Sequence, residues 1–289
     1  TYKTCVSLEL ILDKEGKKMS KSLGNSVDPF EQMEKYGADT LRWYLLTVSP
    51  PWLPTRFDEE GVKEVSRKFF GTLTNTYSFF AMYANIDNFL YDAEKRIAVV
   101  NRSEIDRWIM ARLSSLVEQA NEHMENYDLT KAARALSDFV VDDLSNWYVR
   151  RSRRRFWKSE MGDDKLSAFQ TLYECLVTTS KLMAPMAPFV SEAVYGRLTA
   201  QVKNVEKSVH LCLYPKPGET PVDYKDAILE ERMHLVRRIV ELGRSIRNDA
   251  ALRVRQPLAN ILIAAPNERR KQLLQGCLLY TSPSPRDPH

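Results

Sequence analysis

Lys18-Met19-Ser20-Lys21-Ser22-Leu23-Gly24-Asn25 sets two cations three positions apart, with hydroxyls beside them and a Gly-Asn turn behind. Upstream, Val6, Leu8, Leu10 and Leu12 alternate with the period of a strand, and Asp13-Lys14-Glu15-Gly16 reads as a turn. Downstream, Asp28-Pro29-Phe30-Glu31 predicts a helix start, with Asp28 at the N-cap, Pro29 at N1 and Glu31 at N3 as in a capping box. A basic loop between strand and helix offers cations, hydroxyls and free amides to an anion, and phosphate is the natural guest. In nucleotidyl transfer the leaving pyrophosphate gains charge, so cations placed on it lower the barrier. By composition alone, a short Lys/Ser loop is instead a solvated surface turn.

Beyond the loop the pattern is helical. Leu41, Tyr44, Leu45 and Val48 form one apolar face, which Pro50, Pro51 and Pro54 bring to an end. A segment rich in Phe, Tyr and Asn runs from Asp58 to Phe89. Ser103 opens a helix with the stripe Ile105, Trp108, Ile109, Leu113, Leu116, Val117 and Ala120. A partner helix starts near Asp128 and carries Leu136, Phe139, Val140, Leu144, Trp147 and Tyr148. A third, from Asp163 to Met183, ends at Pro185 and Pro188, and the short connections suggest an antiparallel bundle. Val209, Leu211 and Leu213 predict a short strand or extended arm. A further helix spans Asp223 to Asn248, Leu252 to Pro257 is basic and extended, and Asn260 to Ala265 begins another strand.

With 289 residues, 44% hydrophobic and 28% charged, the chain can bury two or three cores and is not of disordered composition. No apolar run reaches the roughly 18 residues of a membrane span, and no signal peptide is present, so a soluble cytoplasmic protein is expected. Cys5, Cys175, Cys212 and Cys277 form no C-x-x-C pair, and buried free thiols are expected rather than a zinc site or disulfides. His123, His210 and His234 stand apart, and no metal-ligand cluster is predicted.

The net charge of +4 is mild, but its distribution is uneven. From Arg150 to Lys158 there are five arginines, Arg150, Arg151, Arg153, Arg154 and Arg155, and one lysine with no acid, whereas Asp223 to Glu231 is net acidic. Such a run suits an RNA backbone, with Trp147 and Tyr148 able to stack on splayed bases. It equally suits a helix C-terminus, with the two aromatics in the core.

Lys18 to Ser22 matches the signature of class I aminoacyl-tRNA synthetases at all five positions, and Leu23-Gly24-Asn25 continues it as in the isoleucyl, valyl and leucyl group. Tyr36-Gly37-Ala38-Asp39-Thr40-Leu41-Arg42 resembles the family's passage into the stem-contact fold. Met183-Ala184-Pro185-Met186-Ala187-Pro188-Phe189 resembles a helix junction shared by the group. Asp143 to Arg153 and Leu252 to Leu258 resemble the isoleucyl branch.

The resemblance covers about residues 1 to 265 and implies a mainly α chain, the end of a Rossmann-type catalytic domain with a stem-contact fold, followed by an antiparallel anticodon-binding helix bundle. The implied divisions are 1–27 for the catalytic edge, 28–95 for stem contact, 96–250 for anticodon binding and 251–276 for a C-terminal junction. Residues 277–289 resemble a translated sequencing adapter. The resemblance further implies Lys18 and Lys21 as catalytic residues. Lys18, Met19, Ser20, Lys21 and Ser22 would bind ATP, principally through Lys21, with Mg2+ alongside and no zinc site.

Isoleucine and its tRNA are the implied partners, and the five arginines are candidates for tRNA contact. The family's His-Ile-Gly-His-like signature, amino-acid pocket and editing domain are absent, so a piece of a longer enzyme, inactive alone, is expected. The alternatives are a valyl or leucyl enzyme, a non-catalytic tRNA-binding module, and an unrelated helical scaffold.

Overall fold

Prolines, glycines and capping carboxylates set the element boundaries of this mainly helical chain. The computed structural model describes residues 4–157, 160–218, 223–253, 256–258, 260–264 and 267–274. The chain forms two compact units, Thr1–Lys225 and Asp226–His289. No helix among the described residues is long and apolar enough to cross a membrane.

In the first unit, β1 (Ile11–Leu12) pairs in parallel with β2 (Thr55–Arg56), Ile11 opposite Thr55. The strand expected over residues 6–12 is reduced to its last two residues. Val6, Leu8 and Leu10 are exposed, and although the Glu9 N–H and the Leu10 carbonyl still bond Pro51 and Thr55, an alternating face with nothing to bury against does not extend the strand. Asp28 caps α1 (Pro29–Tyr36) by accepting the Phe30 N–H at 2.8 Å, so the bond reaches N2 and not the N3 amide that a capping box uses. Gly37, at φ +85°, turns the chain into α2 (Ala38–Val48).

The aromatic segment is one continuous rod. Helix α3 (Glu59–Val65) passes through a π-helical turn, Ser66–Phe70, into α4 (Gly71–Ile86). The wider turn sends two consecutive rings inward, and Phe69 and Phe70 meet Trp43 of α2 at 4.4 and 6.0 Å between ring centres. Helix α5 (Glu104–Glu125) carries its predicted stripe buried apart from half-buried Ile105. Its partner also starts where expected, after the Asp128 cap. It continues as α6 (Leu129–Asp138), a π-helical stretch Phe139–Val149, and α7 (Arg150–Trp157). Helices α8 (Asp163–Met183) and α9 (Pro188–Thr199) follow, with Pro188 at the N1 position of α9.

Residues 209–213 form no strand. Val209–Leu211 is a 3-10 turn capped by Ser208, whose hydroxyl accepts the His210 N–H at 3.2 Å. Val209 is buried beside Ala184 and Tyr195, whereas Leu213 is exposed, so a single anchor replaces an alternating face. Cys175 is buried and Cys212 partly so, but Cys5 is exposed, against the expectation of buried thiols.

A buried charge cluster that composition does not reveal ties α8 to the segment before α5. Glu174 accepts from both terminal nitrogens of Arg102, at 2.9 and 3.0 Å, from Arg96 Nε at 2.6 Å and from the Tyr91 hydroxyl at 3.1 Å.

In the second unit, α10 (Ala227–Asp249) starts at an Asp226 cap, three residues after Asp223, where a helix start was expected. Arg247 then donates to the carbonyls of Arg253 and Gln256, at 3.1 and 2.7 Å. Residues 260–264 are irregular, with Ile261 and Leu262 exposed, so the expected strand is absent from the described residues. The last described helix of the unit is α11 (Glu268–Leu274). The tail at 277–289 lies outside the described residues.

Candidate phosphate-gripping loop and nucleic-acid interface

The loop projects from the turn after β1 and is held from below. Asp13 is buried, its Oδ1 accepting the Lys17 N–H at 2.7 Å and its Oδ2 accepting from Asn25 Nδ2 at 2.7 Å. The Lys17 amide and the Asn25 side chain hold the Asp13 carboxyl below its ordinary pKa. Asn25 also donates to the Lys18 carbonyl at 3.2 Å and accepts the Ser20 N–H at 2.9 Å. Met19 packs against the cluster of Leu41, Tyr44, Phe57 and Val62. Lys21–Leu23 is a 3-10 turn capped by Ser20 and closed by Gly24 at φ +66°. The Ser20 and Ser22 hydroxyls share a 2.7 Å hydrogen bond.

An apolar anchor below and a bonded base leave Lys18, Lys21 and Ser22 exposed on one short loop. Two cations and a hydroxyl so presented can bind and orient a polyphosphate. No group of three His, Cys, Asp or Glu among the described residues could hold a metal ion, and Asp13 already spends both oxygens on amides. These donors do not by themselves fit Mg2+.

The arginine run divides. Arg150, Arg153 and Arg154 are exposed on α7, and the Arg151 guanidinium lies 4.2 Å from the centre of the Trp147 ring. Arg155 turns inward to Asp106, at 2.8 and 2.7 Å, and to Asp164, at 2.9 Å. It ties α5, α7 and α8 together, unlike the exposed Arg150, Arg153 and Arg154 that were expected beside it as candidates for tRNA contact. Trp147 and Tyr148 are buried, as core aromatics would be, and the Tyr148 hydroxyl donates to Asp106 at 2.7 Å. Sequence reasoning missed Asp13 and Asn25 as loop supports. The available signal was a carboxylate just before the turn and an amide just after the closing glycine.

Two family models match the chain. One, for the anticodon-binding domain of tRNA ligases, covers residues 106–263, and the other, for class I tRNA synthetases of the I, L, M and V group, covers residues 1–56. The chain belongs to the class I tRNA synthetases. Similar curated synthetases are the isoleucine–tRNA ligases of Porphyromonas gingivalis, 49% identical over 276 residues, and Cytophaga hutchinsonii, 50% identical over 276 residues. That of Bacteroides thetaiotaomicron is 48% identical over 277 residues. These alignments take in 95 to 96% of this synthetase chain but only 24% of each relative's length. Among solved structures, a ternary LeuRS-tRNA-LeuAMS complex from Agrobacterium radiobacter K84 matches with a TM-score of 0.53 at 21% identity. The match covers 72% of this chain and 23% of that one, and it supports the fold.

Proposed function

We propose that this chain is the part of a cytoplasmic isoleucine–tRNA ligase that grips the ATP phosphates with the Lys18–Ser22 loop and docks the isoleucine-accepting tRNA on its helices. The observation that carries the reading is the posture of the loop: Met19 anchored below while Lys18, Lys21 and Ser22 stand exposed above a bonded base. The names of the relatives support isoleucine as the amino acid. In this reading residues 1–27 are the edge of a Rossmann-type catalytic domain and 28–95 make stem contacts. Residues 96–250 are the anticodon-binding helical domain, and 251–276 begin a C-terminal junction.

ATP supplies a leaving pyrophosphate when the isoleucine carboxylate attacks its α-phosphate. Lys21, with Lys18 beside it, holds the negative charge that develops on that leaving group, and Mg2+ accompanies the nucleotide. The amino acid itself is read by residues outside this quarter of the relatives' length. The isolated chain is therefore expected to show no isoleucine-dependent exchange of pyrophosphate into ATP.

The test replaces the matching quarter of the Porphyromonas gingivalis relative with this chain. Lys21→Ala in that chimera is expected to lower pyrophosphate exchange by about 10²–10³-fold with KM for isoleucine unchanged. Full exchange in the Lys21→Ala chimera would overturn the reading.

A further inference from the structure

We propose that Asp13 and Asn25 are a positioning pair that closes the base of the loop and fixes the posture in which Lys18 and Lys21 are presented. The proposal rests on the phosphate-gripping reading above.

Asn25 uses its amide in one sense only. Its nitrogen donates to Asp13 Oδ2 and to the Lys18 carbonyl, and its oxygen accepts from the Ser20 N–H. A flipped amide would set donor against donor at Ser20, and an aspartate would set carboxylate against carboxylate at Asp13. Asp13 in turn must accept on both oxygens, from Lys17 N–H and from Asn25, so it works ionised.

Because both oxygens take amides, the carboxylate fixes the backbone at Lys17 and, through Asn25, at Lys18 and Ser20. The glycines just inside the pair, Gly16 and Gly24, adopt φ of +84° and +66° and let the chain reverse at each end of the loop. At Gly16 an added Cβ would sit 3.1 Å from Arg56 Nε, so this end is also tight. Two side chains twelve positions apart thus do in advance what would otherwise cost ordering entropy when a polyphosphate arrives.

The experiment compares Asp13→Asn, Asn25→Asp, Asn25→Ala and the exchanged pair Asp13→Asn/Asn25→Asp. In the exchanged pair, Asn at 13 can accept from Lys17 and donate to Asp at 25, which can accept from Ser20, so only the bond to the Lys18 carbonyl is lost. Amide hydrogen exchange in this chain should speed up about tenfold at Ser20 in each single variant and recover in the exchanged pair, while α5 amides stay protected. In the chimera, Asn25→Asp should raise KM for ATP and lower kcat of pyrophosphate exchange, leave KM for isoleucine unchanged, and be rescued by the exchanged pair. Wild-type Ser20 exchange in the single variants, or an exchanged pair no better than Asn25→Asp, would overturn the proposal. Retained activity in Lys21→Ala would instead sink the phosphate reading and leave the Ser20 measurements standing, so the two failures are separable.

Discussion

Glu174 shows how much one side chain can carry inside a helical unit. It is the shared carboxylate of Arg96 and Arg102, and the Arg102 side chain has 0% exposure. Glu174→Gln leaves two guanidiniums without a counter-charge in a dry site, so a loss of about 3–5 kcal/mol is expected from urea denaturation at pH 7. Asp39 behaves in the opposite sense. It is buried, accepts the Val190 N–H at 2.7 Å through Oδ2, and has no partner for Oδ1. Burial raises its pKa above the ordinary value, against the hydrogen bonds from α9. A raised carboxyl pKa penalises the folded state at neutral pH, and the penalty fades as pH falls through the folded pKa toward the unfolded value near 3.9. Asp39→Asn should therefore match or exceed the wild-type Tm at pH 7, with the advantage shrinking toward pH 4. An advantage that grows on acidification would refute this.

At the scale of elements, α2 is held from both ends. Arg42 donates to the carbonyls of Met186 and Pro185, at 3.0 and 3.3 Å, and Asp39 caps α9. Arg134 donates to the carbonyls of Thr47 and Val48, at 2.8 and 3.1 Å, which are among the last of α2. The stretches Tyr36–Arg42 and Met183–Phe189, far apart in sequence, thus meet in space. Trp43 fastens the middle of α2, stacked on Phe69 and donating from Nε1 to Ser137 Oγ at 3.0 Å. Trp43→Ala should cost about 3–5 kcal/mol in chemical denaturation through the cavity it leaves. Trp43→Phe keeps a ring and should cost about 1 kcal/mol for the hydrogen bond. Equal losses in the two variants would show that the ring is not what holds α2.

For the whole molecule, the division of the arginine run becomes a separation of binding from stability. Neutralising Arg150 and Arg153 together to Gln should flatten the salt dependence of tRNA filter binding by about one to two units of slope, with little change in folding stability. Arg155→Gln should do the reverse. It strips the fully buried Asp106 of its cation and should cost about 3–5 kcal/mol, while the salt slope stays near that of the wild type. An unchanged slope in the double variant would remove α7 from the proposed tRNA interface.

What the sequence determined by itself was local: where helices begin and end, which stripes face inward, and which loop carries the paired lysines. Proline, glycine and capping carboxylates act over a few residues, so Asp28 and Asp128 announce their roles without a fold. The tertiary structure decided everything that needed a distant partner. Val6 and Leu8 alternate with Leu10 yet lie exposed outside the two-residue strand, and Val209 to Leu213 alternate yet make a 3-10 turn around one anchored residue. Five arginines look alike in a string, but only the fold brings Asp106 and Asp164 to Arg155 and sets Arg151 against Trp147. The same holds for the loop: Lys18 and Lys21 are legible one residue at a time, whereas the Asp13–Asn25 contact beneath them exists only once the turn has closed.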